Sequence, residues 1–315
     1  MSESSSKTDI YQNLQNLYFE GKIKKHDYIG AMHNLHQALF SYQSLLKNSE
    51  IDRLEIKSDR IIATLAYKGI KFYLDRYDSR FVPIEIINFG AFEPIEKKIL
   101  DNLASKSQTI ADIGANIGWY TMRFSKFATV KKIFAFEAIP RTFDYLVQHV
   151  RLNDVEKAVL INKAILDVER KVTFNWTKAE TGSASLKNIQ EREVIEKIEV
   201  PATTIDKYFL SNNIKLDFIK CDVEGSELLV FKGAQKYLRK FKPFIFCELL
   251  RKWAAKFDYH PNDVIDLLKQ YGYECFIISE ATISRIDEIN DGTQQTNFLF
   301  LNRKEHINTI KELGG

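Results

Sequence analysis

The stretch 109–127, predicted to be a strand, a glycine-rich turn and a helix, constrains the fold more than any other part of the sequence. Residues 110–113 are apolar except for Asp112, as in a short buried strand. The turn that follows contains Gly114, Asn116 and Gly118. Free backbone N–H groups and the positive end of the helix dipole point outward from such a turn. The stretch therefore predicts a site for an anion or a nucleotide.

Two acids near this turn indicate which nucleotide it binds. Asp112 precedes the first glycine, where a carboxylate would repel a pyrophosphate but suit a cationic amino group. Glu137 ends the next predicted strand, where folds of this kind bind the two hydroxyls of a ribose. The spacing Gly114-x-x-x-Gly118 also lacks the third glycine of the dinucleotide fingerprint. One acid for an ammonium and one for a ribose describe S-adenosylmethionine better than NAD. The alternative is an ordinary strand–turn–helix unit with incidental acids.

The composition narrows the class of protein. Apolar residues make up 45% of the chain, which is enough for a core, and the net charge is only +3 with acids and bases interspersed. Without a clustered basic face, we expect no nucleic-acid partner. The three cysteines, Cys221, Cys247 and Cys275, lack metal-binding spacing and fall on predicted strands, so we expect buried free thiols.

The location of the protein can also be predicted. No stretch has the long apolar run of a membrane span. Residues 1–9 are polar and rich in serine, unlike a signal peptide, and residues 1–8 are expected to be disordered. We therefore expect a cytoplasmic protein.

Strands and helices alternate along the second part of the chain, which predicts a mostly parallel sheet. We divide the chain into an N-terminal helical extension (1–50), a β-hairpin and lead-in helix (51–108), the main α/β domain (109–303) and a C-terminal tail (304–315). The hairpin is predicted over 60–74 and the lead-in helix over 94–103. Within the domain, 159–164 is predicted as the third strand, and 172–176 pairs with 197–202 around a polar excursion.

The N-terminal extension carries two predicted amphipathic helices, 9–19 and 27–47. Amphipathic faces need a partner that buries them. We expect a homodimer contact through these helices, because closed two-fold pairs are the commonest oligomers. The alternative is a cap over the site in the same subunit.

Five motifs follow one another in the order found in the FkbM family of S-adenosylmethionine-dependent methyltransferases. They are Asp112-Ile-Gly-Ala-Asn-Ile-Gly118, Phe136-Glu-Ala-Ile-Pro140, Gly182-Ser-Ala-Ser-Leu186, Ile219-Lys-Cys-Asp-Val-Glu-Gly-Ser-Glu227 and Phe246-Cys-Glu248. From about residue 86 to residue 302 the chain resembles this family. The resemblance implies the class I methyltransferase fold, a seven-stranded, mostly parallel Rossmann-like sheet with a final antiparallel strand. It also implies O-methylation, often of a sugar hydroxyl in a polysaccharide, glycolipid or natural product.

The resemblance further implies which residues bind the cofactor. Gly114, Asn116 and Gly118 would line its amino-acid end, with Asp112 facing the amino group. The nucleoside end would be held by Glu137 at the ribose, by Ala138 and Ile139 beside the adenine, and by a backbone N–H of Ala164. The family usually has Glu-Pro where this chain has Glu137-Ala138. This departure leaves the ribose assignment intact.

Three acids at predicted strand ends are the candidates for chemistry. Asp222 and Glu224 follow one strand beside the cofactor crevice, and Glu248 ends the next. We expect Asp222 to contact the cofactor as well. A sugar hydroxyl needs a base, or a metal that lowers its pKa. Either one acid is the base, with Asp222 central and Glu248 its partner, or these two bind Mg²⁺ through oxygen ligands. Glu224 and Glu227 have an alternative role as partners of the following helix.

Two other functions stay open at this point. One is a NAD-dependent oxidoreductase on a Rossmann-like fold, against which the turn lacks a third glycine. The other is a non-catalytic module with a cofactor pocket, against which Asp112, Glu137, Asp222 and Glu248 are all present. The resemblance implies a sugar or glycan acceptor but neither its identity nor the hydroxyl that is methylated.

Overall fold

A central mixed sheet organises the chain, for which the computed structural model describes residues 9–192 and 195–315. The strands of these residues are β1 (Ile51–Ile56), β2 (Ile61–Leu65), β3 (Lys71–Tyr73), β4 (Thr109–Ile113), β5 (Lys132–Phe136), β6 (Ala158–Ile161), β7 (Ala164–Ile165), β8 (Lys171–Trp176), β9 (Glu196–Thr203), β10 (Phe218–Cys221), β11 (Phe244–Glu248), β12 (Tyr273–Ser279), β13 (Thr282–Ile286) and β14 (Asn297–Asn302). The segment 1–8, for which we expect disorder, lies outside the described residues.

Helices cover the sheet and extend beyond it. The helices of the described residues are α1 (Asp9–Phe19), α2 (Lys25–Lys47), α3 (Val82–Phe89), α4 (Glu96–Ser105), α5 (Trp119–Ser125), α6 (Pro140–Leu152), α7 (Glu227–Lys232), α8 (Gln235–Lys240), α9 (Arg251–Lys256), α10 (Pro261–Lys269) and α11 (Ile307–Glu312). A single π-helical turn covers Asp206–Leu210. None of the helices in these ranges is long and apolar enough to cross a membrane.

The strands of the main sheet lie in the order β6-β5-β4-β10-β11-β14-β12-β13. β4 pairs in parallel with β5 on one side and β10 on the other, and β10 pairs in parallel with β11. β14 runs antiparallel to both β11 and β12. The predicted fold class is confirmed: seven of these strands form the class I methyltransferase sheet. The predicted strand count is one too low, because β13 adds an eighth strand against β12.

The predicted third strand, 159–164, is two strands in the structure. β6 ends at Ile161 in the main sheet, and β7 pairs instead with β9 in a small separate sheet that also contains β8. The chain turns between them because the Asn162 amide donates hydrogen bonds to the carbonyl groups of Glu137 and Ala138. The predicted pairing of β8 with β9 around a polar excursion is confirmed.

The segment before the main domain differs from the predicted hairpin. β1, β2 and β3 form a three-stranded antiparallel sheet, whereas only a two-stranded hairpin was predicted. The alternation of apolar and polar residues in Ile51–Ile56 is too short to predict β1. Helix α3 was not predicted, and α4 begins at Glu96 rather than at residue 94. Buried side chains of this segment, including Phe72 and Phe81, belong to the same hydrophobic core as those of β4 and α5.

A buried histidine joins this small sheet to the glycine-rich turn. The Nε2 atom of His149 accepts a hydrogen bond from the backbone N–H of Tyr73, 3.0 Å away. Its Nδ1 must therefore carry the ring proton, which it donates to the Ile117 carbonyl oxygen at 2.8 Å. Burial lowers the pKa of His149 to about 4, which keeps the ring neutral near pH 7.

The cysteines lie where the sequence predicted them. Cys221, Cys247 and Cys275 are all buried and free, on β10, β11 and β12.

The residues after β14 also pack against the body of the protein. Helix α11 contributes Ile310 to the core shared with β1 and β4.

Candidate active site

A cavity of about 330 Å³ opens beside the carboxyl ends of β4, β5, β10 and β11. This is the switch point of the sheet, where chain connections leave β4 and β10 in opposite directions and ligands bind in folds of this kind. Most of the predicted site residues line it: Gly114, Asn116, Glu137, Ala138, Ile139, Ala164, Asp222, Glu224 and Glu248. Within the described part of the chain, Asp112 and Gly118 are not among its lining residues.

The glycines of the turn are required by contacts with the backbone and with helix α6. Gly114 has a φ of +73°, and a Cβ atom there would lie 1.8 Å from the carbonyl oxygen of Asp222. Gly118 has a φ of +91°, and its Cβ would lie 2.6 Å from a methyl group of Leu146. Asn116 tolerates a φ of +49° between them. Gly114 therefore allows β4 and β10 to meet at the cavity, while Gly118 packs against α6.

Glu137 holds the turn from the end of β5. One carboxylate oxygen accepts the backbone N–H of Asn116 at 2.9 Å, and the other accepts that of Ile139 at 2.8 Å. Burial raises the pKa of Glu137 to about 7, against the effect of these two hydrogen bonds. The side chain thus fixes the turn and faces the cavity at the same time.

A buried lysine lies beneath the turn. The Nζ atom of Lys220 donates to the Gly114 carbonyl oxygen at 2.9 Å and to Asp222 at 3.2 Å, and lies 3.7 Å from Asp112. Asp112 also accepts the hydroxyl of Thr121 at 2.6 Å. Although burial lowers the pKa of Lys220, the charges of Asp222 and Asp112 raise it above its ordinary value. Sequence reasoning missed Lys220, although a lysine in an apolar strand was a usable signal.

The three candidate acids form one cluster. Asp222, Glu224 and Glu248 each place a carboxylate oxygen within 4.8 Å of the others. Among the residues that the structure describes, the Glu224 and Glu248 carboxylates accept no hydrogen bond and form no ion pair. Burial, and next the charge of Asp222, raises the pKa of both Glu224 and Glu248 well above the usual range. The cluster can therefore take up a proton or a hard cation.

Glu227 belongs to the turn rather than to the cavity wall. Its carboxylate accepts the backbone N–H of Gly225 at 3.0 Å and of Val223 at 3.3 Å, and the hydroxyl of Tyr259 at 3.0 Å. Burial raises its pKa to about 7. These contacts bind the first turn of α7 to the residues after β10, in agreement with the structural role weighed for Glu227.

Glu93, which sequence reasoning did not select, also lines the cavity. It lies before α4, has a φ of +43°, and accepts a hydrogen bond from the Tyr120 hydroxyl. Burial raises the pKa of Glu93 to about 7. Sequence reasoning looked for acids at strand ends, whereas this residue enters from the segment ahead of the domain.

The polar excursion between β8 and β9 forms another wall. Gly182, Ser183 and Gln190 line the cavity from this segment. The hydroxyl of Ser185 donates to the carbonyl oxygen of Glu224 at 2.7 Å, which ties the excursion to the acid cluster. Trp253, from α9, lines the cavity as well.

A family model and two related proteins match parts of this chain. The family model described as "Methyltransferase FkbM domain" matches residues 112–275, more than half of the chain. Hexuronic acid methyltransferase AglP from Haloferax volcanii is 30% identical over an alignment of 184 residues that covers 55% of this chain and 66% of that protein. A tRNA(Phe) (4-demethylwyosine(37)-C(7)) aminocarboxypropyltransferase from Methanocaldococcus jannaschii is 28% identical over 76 residues, which are 24% of this chain and 30% of that protein. The chain thus spans less than two thirds of either relative.

Solved structures with low sequence identity also align. Methyltransferase FkbM from Methylobacillus flagellatus is 14% identical, with 85% of this chain and 60% of that chain covered and a TM-score of 0.39. TYW2 from M. jannaschii, in complex with AdoMet, is 13% identical, with 79% and 86% covered and a TM-score of 0.35.

The close approach at Gly114 gives a prediction about stability. Gly114→Ala should lower the free energy of unfolding by about 3 kcal/mol or more, because backbone atoms must move to admit the Cβ. Gly69→Ala is the matched control, since Gly69 also has a positive φ, +63°, but no atom within 4 Å of its Cβ position. It should lose only about 1 kcal/mol. Urea unfolding monitored by circular dichroism measures both losses, and equal losses would contradict the close approach.

Proposed function

The chain belongs to the FkbM methyltransferase family, and we propose that it transfers a methyl group from S-adenosylmethionine to a hydroxyl of a sugar or glycan. One observation carries the proposal. A single cavity at the switch point of the sheet is lined both by the glycine-rich turn with Glu137 and by the acids Asp222 and Glu248. A methyl donor and a hydroxyl must be held side by side for direct displacement, and this cavity offers groups suited to each.

The residues of the cavity fit the cofactor. When bound, S-adenosylmethionine supplies the activated methyl group. Gly114 and Asn116 would hold its amino-acid end through the backbone, and Ala138 with Ala164 would hold its adenine. Glu137 would bind the ribose, because each of its carboxylate oxygens accepts one backbone N–H and keeps capacity for a hydroxyl.

The acid cluster would prepare the acceptor. Asp222, fixed by Lys220, would orient the hydroxyl, and the proton released from it would pass to Glu248. The raised pKa of Glu248 makes its carboxylate a stronger base than an exposed one. Glu224 lies close enough to share this charge.

A sugar acceptor is supported by two observations. The relative from Haloferax volcanii is named a hexuronic acid methyltransferase. The cavity wall offers Ser183, Gln190 and Trp253, and polar groups beside an aromatic ring suit a polyol. RNA is the competing acceptor, given the relative that modifies tRNA, but the interspersed charges of this chain favour a glycan.

The proposed function is tested by methyl transfer. Purified protein is incubated with S-adenosylmethionine carrying a labelled methyl group and with polysaccharide, glycolipid and RNA fractions. We expect label in a carbohydrate fraction as an alkali-stable ether. Glu248→Gln should reduce the rate about 10²- to 10⁴-fold, as expected for loss of a general base, and Glu288→Gln, an exposed acid, should not.

Three outcomes would contradict the proposal. Label in RNA would show that the acceptor is RNA and not a glycan. Binding of S-adenosylmethionine without transfer to any fraction would indicate a non-catalytic module. Calorimetric binding of NAD in its place would indicate an oxidoreductase.

The ribose assignment is tested separately. Glu137→Ala should weaken S-adenosylmethionine binding by about 1–3 kcal/mol, because the ribose hydroxyls lose a charge-assisted partner. Calorimetry on the folded variant measures the loss. Unchanged affinity would show that Glu137 does not bind the ribose.

A bound metal ion is the alternative to a metal-free general base for activating the acceptor hydroxyl. Asp222 and Glu248 would hold Mg²⁺, with Glu224 as a third carboxylate, because their oxygens lie within 4.8 Å of one another. A chelator should then abolish turnover, and added Mg²⁺ should restore it. Full activity in excess chelator would leave the metal-free general base.

We further propose that α1 and α2 form the contact with a second copy of the chain. The described residues of α2 include no buried side chain, and Phe19, Leu39 and Phe40 are 79%, 52% and 62% exposed. Burying such a surface would drive association. Light scattering on a variant without residues 1–48 should give a monomer where the full chain gives a dimer.

A truncated protein that stays dimeric would contradict the proposed dimer contact. If it bound S-adenosylmethionine but had lost turnover, the helices would instead cover the acceptor site. A full-length Phe40→Glu variant provides the matched point change and should also give a monomer, because Phe40 is 62% exposed and a charge there opposes burial against a second copy.

A further inference from the structure

The cofactor's amino group needs a counter-charge that the sequence assigned to Asp112. In the structure Asp112 is completely buried, accepts the Thr121 hydroxyl and lies 3.7 Å from Lys220. It is absent from the cavity lining drawn from the described residues. A ligand in the cavity therefore meets a different acid at this end.

Glu93 is the acid in the right place. It lines the cavity together with Gly114, whose carbonyl oxygen is bound to Lys220. The Nζ atom of Lys220 lies 5.6 Å from the centre of the Tyr120 ring, and the Tyr120 hydroxyl donates to Glu93. This chain of contacts places Glu93 beside the Gly114 end of the cavity, where the amino acid of the cofactor would lie.

Charge also distinguishes Glu93 from the other acids there. Asp222 is paired with Lys220, whereas no cation lies within ion-pair distance of Glu93 in the described ranges. Its hydrogen-bond partner, the Tyr120 hydroxyl, is a neutral donor that orients the carboxylate without neutralising it. A half-buried carboxylate in this state is stabilised by an incoming ammonium group.

We propose that Glu93 binds the α-ammonium group of S-adenosylmethionine, and that Tyr120 positions Glu93 for this contact. The proposal rests on the cofactor named in the proposed function. It assigns a cofactor-binding residue outside the stretch 112–275 that matches the family model. Asp112 then has a different role, holding Lys220 under the turn.

Three ligands separate this contact from the rest of the site. S-adenosylmethionine and S-adenosylhomocysteine both carry the ammonium group, whereas 5′-methylthioadenosine lacks the amino acid but keeps the nucleoside. By calorimetry, Glu93→Gln should bind the first two about 10- to 100-fold more weakly, as expected when a charge-assisted bond is lost, and methylthioadenosine unchanged. Glu137→Gln is the matched control and should weaken all three. Tyr120→Phe should repeat the pattern of Glu93→Gln with a smaller loss.

The results that overturn the proposal are distinct. Equal losses for all three ligands in Glu93→Gln would indicate a general disturbance of the cavity. Unchanged binding of S-adenosylhomocysteine would show that Glu93 does not bind the ammonium group. Thermal unfolding checks that each variant is folded, and Glu93→Ala serves if the glutamine variant is not. Failure of the unaltered protein to bind any of the three would refute the cofactor of the proposed function, and the contact with Glu93 along with it.

Discussion

The site depends on one buried ion pair network, in which Lys220 binds Asp222, approaches Asp112 and holds the Gly114 carbonyl oxygen. The buried carboxylate of Asp112 and the half-buried carboxylate of Asp222 would repel each other without this cation, and a lone buried charge costs several kcal/mol. The lysine therefore allows one acid near the end of β4 and another directly after β10. It also fixes the distance between the glycine-rich turn and the acid cluster, which are the two halves of the cavity.

The remaining carboxylates of the cavity are held at a free-energy cost. Burial raises the pKa of Glu93, Glu137 and Glu248, so each carries its charge less readily than it would in water. Proteins keep such groups where a ligand or a reaction uses them. A ligand that brings positive charge or hydrogen-bond donors into the cavity removes part of this cost, which agrees with the cationic cofactor and the hydroxyl-bearing acceptor that we propose.

The sequence predicted the parts of the molecule in which local pattern and fold agree. The order of strands and helices, the turn at Gly114 and the strand-end acids Asp222 and Glu248 all follow from periodicity and from the carboxyl-end rule for open sheets. It could not predict that Asp112 faces inward, because the direction of a side chain at a strand end depends on the neighbour across the sheet. Glu93 was missed for the same kind of reason, since its position depends on how the lead-in segment folds back on the domain. The division of 159–164 depended on the amide of Asn162, a contact with another loop.

The small sheet of β7, β8 and β9 supplies a wall of the cavity that the main sheet does not. It has its own apolar cluster, including Phe174 and Val200, and it carries the excursion that walls the cavity. Changes in the length or composition of that excursion alter the shape presented to an acceptor without altering the strands that carry Gly114 and Glu137. Acceptor preference in such an architecture can diverge through insertion and substitution in one hairpin, while the ends of β4 and β5 keep their positions.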